Sequence, residues 1–460
     1  MEIISISRIE QSGEILLHEL NLLLILMTWD EKMNERTACI LNYGCQMNEY
    51  ESLTIEKMLK GNGFEVIKDP DVAELVILNT CTIRDNADSK ILNRLEQLCS
   101  QKRKRKNRVI GVIGCLVASK EASLRENYPE LDFLLPPSAI ENIGEILSQY
   151  YRNEFQTYEN WEYNNEGNDS PFRSYLPIQK GCNFKCSYCI VPSVKGEQIS
   201  LPPEEIRNKA KALVEGGVLE LTLLGQTINS YKYNDMDFVD LLELIASSFP
   251  DTWIRFLTSH PVLFDTRISE LFKTHKNLCP FFHLPAQSGS TGILKAMKRG
   301  YSREQYLDLV KELKSSIPQA VFSTDMICGF PGETEEDFQQ SLTLMEEVGF
   351  VTAFMFYYSE RVGTPAAVME PRIEESLRKE RLSRMIDHQM KIQGELYKSF
   401  HGTEVSVLVE SKARRTSGGL KGRTPGNLPV IFTGDESLVG SFCKVLVEDS
   451  TAHTLKGKLL

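Results

Sequence analysis

Hydrophobic positions along this chain follow a strand-and-helix alternation for most of its length and change period near the end. From Arg36, short unbroken runs rich in Ile, Val and Leu (Thr37–Tyr43, Leu75–Asn79 and Val109–Ile113) predict parallel strands buried on both faces. Helical patterns around Tyr50–Lys60 and Ala87–Cys99 follow the first two. Strands alternating with helices fold as an open parallel sheet with right-handed crossovers. Tyr150 to Asp169 is polar and acidic, has neither period, and reads as a connection between domains.

A second series starts at Tyr175. Its candidate strands are Tyr175–Gln179, Leu219–Leu224, Trp253–Leu257, Phe281–Leu284, Val321–Ile327 and Val351–Tyr357. Helical segments separate them, notably Pro203–Glu215, Phe238–Ser247, Arg303–Lys314 and Glu335–Glu347. Six such units predict a partial (βα)6 barrel, closed on one side by the charged amphipathic run Pro371–Phe400. From Thr403 the period becomes two, in Val405–Val409, Leu428–Phe432 and Cys443–Val447, which predicts a small OB-like β-barrel. The expected fold class is thus α/β. Its parts are an N-terminal extension (1–33), an open-sheet domain (34–150), a linker (151–172), the barrel (173–400) and the tail (401–460).

Composition adds little to this except by exclusion. With 460 residues, 42% hydrophobic and 25% charged, the chain reads as an ordinary multidomain protein. Its net charge of -11 argues against whole-surface attraction to nucleic acid. A local basic patch is still compatible with it, because salt limits the reach of charge to about 10 Å. Leu16 to Met27 is Leu-rich but is interrupted by His18, Glu19 and Asn21. It falls short of the roughly 20 apolar residues that span a bilayer. It also lacks the basic lead-in and cleavage site of a signal peptide. A soluble, cytoplasmic monomer is expected.

Cysteine changes the picture. The count of eleven is odd, and the spacings suggest metal binding rather than a disulfide framework. Cys182, Cys186 and Cys189 fall within eight positions. Three thiolates there could hold a 4Fe-4S cluster and leave one iron open to a ligand. Zinc with a distant fourth ligand such as His283, or three inert buried thiols, are the alternatives. A second trio, Cys45, Cys81 and Cys115, follows the three N-terminal strands, separated by 36 and 34 residues. Parallel strands end on one edge of their sheet, so these three should meet there as a second metal site. Cys39, Cys99, Cys279 and Cys328 read as packing residues.

The Cys182-x3-Cys186-x2-Cys189 loop resembles the signature of the radical S-adenosylmethionine enzymes. Three further stretches, Asn42-Tyr43-Gly44-Cys45-Gln46-Met47-Asn48, Asn79-Thr80-Cys81-Thr82-Ile83-Arg84 and Gly114-Cys115-Leu116-Val117-Ala118, resemble the methylthiotransferase family within that group. The resemblance runs from about Arg36 to the end. Gly-Cys-Gln-Met-Asn is closest to the branch that methylthiolates C2 of N6-isopentenyladenosine beside the tRNA anticodon. It implies two 4Fe-4S clusters, two molecules of S-adenosylmethionine per turnover, sulfur from the N-terminal cluster, and a reductant such as a ferredoxin or flavodoxin. It further implies that strand-end residues Gly225, Gln226, Asn229, Ser259, His283, Gln287, Asp325, Gly329 and Glu333 bind the cofactor, with His260 a further candidate. The tail resembles the TRAM domain, whose basic Lys412, Arg414, Arg415, Lys421 and Arg423 would contact RNA phosphates. The run Lys102–Lys106 with Arg108 is either a solvated face or another phosphate contact. Two other readings are methylthiolation of threonylcarbamoyladenosine in tRNA and a non-catalytic iron–sulfur RNA-binding protein.

Overall fold

The computed structural model describes residues 36–81, 85–105, 107–151, 155, 171–413 and 418–460, which form two compact units divided in the 151–171 region. The extension 1–33 and most of the predicted linker lie outside the described residues.

The first unit is a parallel five-stranded sheet of β1 (Arg36–Tyr43), β2 (Phe64–Val66), β3 (Leu75–Thr80), β4 (Val109–Gly114) and β5 (Phe133–Leu135). Its strand order is β2-β1-β3-β4-β5. Alternate residues of β3 serve opposite cores. Leu75 and Ile77 pack with Ile55, Met58 and Leu59 of the helix Gln46–Gly61. Val76 and Leu78 pack with Ile91, Leu95 and Leu98 of the helix Asp85–Lys104. Burial on both faces explains why these strands read as unbroken apolar runs. The Phe155 ring lies tilted against Phe64 at 5.9 Å and Tyr151 at 6.2 Å, so the start of the predicted linker packs into this core.

The second unit begins with six parallel strands: β6 (Arg173–Pro177), β7 (Glu220–Leu224), β8 (Trp253–Phe256), β9 (Phe281–His283), β10 (Val321–Cys328) and β11 (Thr352–Tyr357). They form two three-stranded sheets, β8-β7-β6 and β9-β10-β11, joined by a bridge from Ile254 to Leu278. This is the partial barrel, with its core filled by residues such as Leu221, Leu223, Ile254, Phe282 and Phe322. The helix Glu375–Lys398 packs on β11 and leads to the tail. There, β12 (Glu404–Lys412), β13 (Gly419–Arg423), β14 (Pro429–Thr433), β15 (Phe442–Ser450) and β16 (Leu455–Leu459) close into a barrel ordered β12-β13-β14-β16-β15.

The tail barrel docks on the edge where the central strands begin. Its core residues Val407, Val430 and Val447 share a cluster with Phe281 and Val351 and with partly buried Val321. A buried ionic group completes the joint. Glu220 receives Arg255 at 2.9 Å and Arg173 at 3.1 Å, and Arg173 also meets Glu410 of β12 at 3.0 Å. Arg255 donates to the Pro425 carbonyl at 2.7 Å.

Candidate functional site

The register of the first sheet brings the N-terminal cysteines to neighbouring strand ends. Tyr43 pairs with Thr80, and Thr80 with Gly114. The next residues, Gly44-Cys45, Cys81 and Cys115, therefore leave one edge on three adjacent strands, which are spaced about 4.8 Å apart. With the order 2-1-3-4-5, the chain reverses its direction of travel across the sheet between β1 and β3, where open α/β sheets bind ligands. Cys45 caps the helix Gln46–Gly61, and Cys115 is the first residue of the helix Cys115–Asn127. Helix N-termini favour negative charge, which suits a thiolate-ligated cluster. Cys81 and Cys115 are buried and Cys45 is half-buried.

Asn48 ties this edge together. Its side-chain oxygen lies 3.2 Å from the Cys45 sulfur, and its nitrogen donates to Asn79 Oδ1 at 2.8 Å and to the Thr80 carbonyl at 3.2 Å. Gly114 has φ +96°, and a Cβ there would lie 2.3 Å from the Thr80 carbonyl oxygen.

In the second unit, Cys182, Cys186 and Cys189 occupy the loop beyond β6, at the C-terminal edge of the central barrel. Cys182 Sγ is 3.5 Å from Thr227 Oγ1. The buried Arg299 places Nη1 at 3.5 Å from Cys186 Sγ and donates through Nη2 to the Pro285 carbonyl at 2.8 Å. Phe184, between the first two cysteines, stacks on His260 with ring centroids 4.1 Å apart. Burial, and then the charge of Arg299, push His260 down to about 3, so its ring is neutral at physiological pH.

The strand-end residues expected at the cofactor lie toward the same edge of the barrel as this loop. Gly225 ends β7 against Gln179, whose Cγ would lie 2.8 Å from an added Cβ. Asn229 clamps the backbone of His260, donating to its carbonyl at 2.9 Å and accepting its N–H at 2.8 Å. His283 Nδ1 meets Ser323 Oγ at 2.9 Å, with Nε2 3.7 Å from Asp325. Gln287 takes φ 71° and joins β10 through backbone bonds to Asp325 and Ile327. Glu333 accepts from the Gly329 N–H and from Arg381, each at 2.8 Å, and burial pushes its carboxyl up to about 7.

The donor set fits the cofactors expected. Gln226 Oε1, Ser259 Oγ and His260 Nε2 are buried without hydrogen-bond partners, at the ends of β7 and β8 beside the cysteine loop. Polar atoms so placed call for a polar ligand, and the amino and carboxylate groups of S-adenosylmethionine would supply one. Among the described residues, no three His, Cys, Asp or Glu side chains gather as ligands of a single ion, His283 included. Cluster thiolates bind separate irons and stand further apart than that.

Several positions had no sequence signal. Arg299 lies in a stretch with Lys295 and Lys298, and nothing in it distinguishes the buried cation from the exposed ones. Thr227 is likewise known only by what it touches, and Asn48, although it ends the Gly-Cys-Gln-Met-Asn motif, shows its role only through its contacts.

The basic candidates divide. Lys412 pairs with Glu436, and Lys421 is exposed on β13. Arg423 belongs to the interdomain joint, 3.3 Å from Glu410 and 3.2 Å from Asn427. Arg414 and Arg415 lie outside the described residues. In the first unit, Lys102 meets Asp132, Arg103 meets Glu130 at 2.6 Å, and Arg108 donates to the Ala73 carbonyl at 3.0 Å, so much of that run is held by its own surface.

Comparison with known proteins assigns each part. The Radical SAM superfamily matches residues 176–345, the uncharacterized protein family UPF0004 matches 37–136, and the TRAM domain matches 398–460. The tRNA-2-methylthio-N(6)-dimethylallyladenosine synthase of Carboxydothermus hydrogenoformans is 38% identical over 442 residues, covering 93% of this chain and 100% of that one. This chain belongs to the tRNA methylthiotransferases of the radical S-adenosylmethionine superfamily. The synthases so named from Alkaliphilus oremlandii and Fusobacterium nucleatum are 37% and 38% identical, each covering 92% of this methylthiotransferase and, respectively, 92% and 100% of their own lengths. Membership brings the cofactor class of iron–sulfur and S-adenosylmethionine, and tRNA as the substrate of methylthiolation. The fold is shared with TsrM, a radical S-adenosylmethionine methyltransferase from Kitasatospora setae solved with cobalamin and a 4Fe-4S cluster bound. The two superpose at TM-score 0.52 with 12% identity, over 73% of this chain and 77% of that one. Among the described residues, no helix of this methylthiotransferase is long and apolar enough to cross a membrane.

Proposed function

We propose that this methylthiotransferase converts N6-isopentenyladenosine beside the tRNA anticodon to its 2-methylthio derivative. The observation that carries the reading is the sheet register, which sends Cys45, Cys81 and Cys115 off three neighbouring strand ends. A second cysteine trio distinct from Cys182, Cys186 and Cys189 gives a separate place from which sulfur can come. The names of relatives aligned over nine-tenths of the chain support the choice of nucleoside.

The C2–H of adenine is neither acidic nor electrophilic, so side-chain acid–base chemistry has no purchase on it. When bound, two iron–sulfur clusters and S-adenosylmethionine would supply what is missing, namely radical chemistry, a sulfur source and a methyl donor. The protein's task is to hold and to exclude. Cys182, Cys186 and Cys189 would bind one cluster, and Cys45, Cys81 and Cys115 the other. Gln226 and Ser259 would receive the amino and carboxylate ends of S-adenosylmethionine, with Arg299 as the adjacent buried cation. His260, stacked on Phe184, backs the cysteine loop. The target lies in a single-stranded loop, from which a base can be turned out without breaking a pair. Lys412 and Lys421, with Arg414 and Arg415, would contact the RNA backbone. A ferredoxin or flavodoxin would deliver the electron to a cytoplasmic monomer.

Nucleoside mass spectrometry of tRNA from a deletion strain tests the substrate. Loss of 2-methylthio-isopentenyladenosine with accumulation of its unthiolated precursor is expected, and an unchanged profile refutes the reading. Cys182→Ala should abolish S-adenosylmethionine cleavage and lower reconstituted iron from about eight to about four per chain. Retention of all the iron would sink the assignment of that loop.

A further inference from the structure

A cleft on the cysteine-bearing edge of the central barrel is bordered by Gly329 of the expected cofactor set and is otherwise lined by residues given no role so far. It opens where β10 and β11 end: Gly329 follows β10, Tyr358 follows β11, Arg372 precedes the helix Glu375–Lys398, and Arg378 lies in that helix's first turn. Tyr358 is only 4% exposed, yet its hydroxyl has no hydrogen-bond partner. The Nε of Arg378 is buried and unpartnered in the same way, while its Nη1 donates to the Tyr358 carbonyl at 2.6 Å. Gly329, at φ +71°, lets this arginine cross the strand end, since a Cβ there would lie 2.4 Å from Arg378 Cγ.

Three segments thus bring two guanidinium groups and a phenol to one small opening. Burial, reinforced by Glu360, pushes the Tyr358 hydroxyl up to about 12, so at neutral pH it remains a donor. Glu360, which also lines the cleft, is 3.7 Å from Arg372 Nη1, Glu370 is 3.2 Å from its Nε, and its Nη2 donates to the Ala367 carbonyl at 3.1 Å, so an anion would take the place of these exposed partners. Exposed pairs of this kind hold weakly and exchange readily. Donors in this arrangement suit a compact anion with several acceptor oxygens, and arginine pairs recognise phosphate in particular.

Position narrows the source of that phosphate. The tail barrel, with Lys412 and Lys421, docks where the central strands begin, whereas the cysteine loop lies where they end. RNA held only by the tail would have no anchor beside the chemistry. Ala366 lines the cleft and donates its N–H to the Ser187 carbonyl at 2.8 Å, within the loop between Cys186 and Cys189. We propose that this cleft binds one backbone phosphate of the tRNA next to the modified nucleoside and positions the loop over the cysteine-bearing edge. The proposal rests on tRNA being the substrate.

The test is binding of an unmodified anticodon stem-loop RNA to the anaerobic holoenzyme across a salt series. Arg372→Gln, which alters an exposed side chain, should weaken binding about 3- to 10-fold and reduce the salt slope by about one. Tyr358→Phe should weaken it about 3-fold, the loss of one hydrogen bond. Neutral methylphosphonates placed singly along the RNA should find one position whose loss is large in the wild type and absent in Arg372→Gln, the non-additivity of direct partners. Unchanged RNA affinity in both variants overturns the proposal, and so does additivity at every position. If the variants lose affinity for S-adenosylmethionine instead of RNA, the cleft belongs to the cofactor. If inorganic phosphate binds the wild type but not the variants while RNA affinity holds, it is a free-anion site. A wild type that binds no stem-loop overturns the substrate reading itself, a result distinct from variant-only failure.

Discussion

The carboxamide of Asn48 is fully buried, touching the Cys45 sulfur on one side and Asn79 and Thr80 on the other. Asn79 answers by donating to the Asn48 carbonyl at 2.8 Å and to Ser52 at 3.1 Å. Removing the amide strands several buried partners, each costing about 1–3 kcal/mol. Asn48→Ala should therefore lower stability by about 2–4 kcal/mol and reduce the iron of the N-terminal site, leaving about four irons per chain. Denaturant midpoints and iron analysis would check this, and full iron with unchanged stability would mean that Asn48 does not order the edge. The cysteines themselves were legible from spacing and from their place after each apolar run. The roles of Asn48, Thr227 and Arg299 were not, because a buried polar residue is defined by its neighbours, and Asn79, Cys182 and Cys186 lie 31 or more residues from them in the chain.

At the scale of elements, the turn from β4 into the helix Cys115–Asn127 depends on Gly114. It combines a positive φ with a carbonyl where a side chain would go. Gly114→Ala should cost about 2–4 kcal/mol and loosen the register of β3 against β4. Hydrogen exchange of the Thr80 and Ile113 amides would report it, and unchanged protection would show that the turn tolerates a Cβ. Long, doubly covered strands such as β3 and β4 were readable because burial on both faces leaves an apolar run. The three-residue strands β2 and β5 were not, since no period can establish itself over so few positions. In the tail, β13 reads Gly-Leu-Lys-Gly-Arg and gives no strand pattern. Gly422 is there because a Cβ would meet the Leu408 carbonyl at 2.2 Å, a demand of barrel closure rather than of local propensity.

Across the whole second unit, the ionic joint couples the tail to the central barrel. Burial alone would raise the carboxyl of Glu220, but Arg255 and Arg173 override it and bring it down to about 2 from an ordinary 4.5. A carboxylate held below its unfolded value contributes stability in full above about 4.5 and loses it as the pH falls toward about 2. Glu220→Gln should remove that acid dependence and, at neutral pH, cost about 3–5 kcal/mol by leaving the buried Arg255 without its carboxylate, while Arg173 keeps Glu410. Thermal unfolding of wild type and variant across the acid range would decide it, and parallel pH profiles would rule out Glu220 as the source. Arg423 illustrates the same coupling. From sequence it joins a basic cluster suited to RNA, while in the fold it lies against Glu410 and Asn427 within the joint.

By itself the sequence determined the main alternation of strands and helices, the two cysteine trios and the family to which they point, because local period and ligand spacing are properties of short stretches. Only the tertiary structure decided that three cysteines separated by 36 and 34 residues leave neighbouring strands, that the tail closes the edge where the central strands begin, and that Tyr358, Arg372 and Arg378 share one cleft. Those facts depend on strand register and on which residues are buried together, and neither is set until distant parts of the chain have packed.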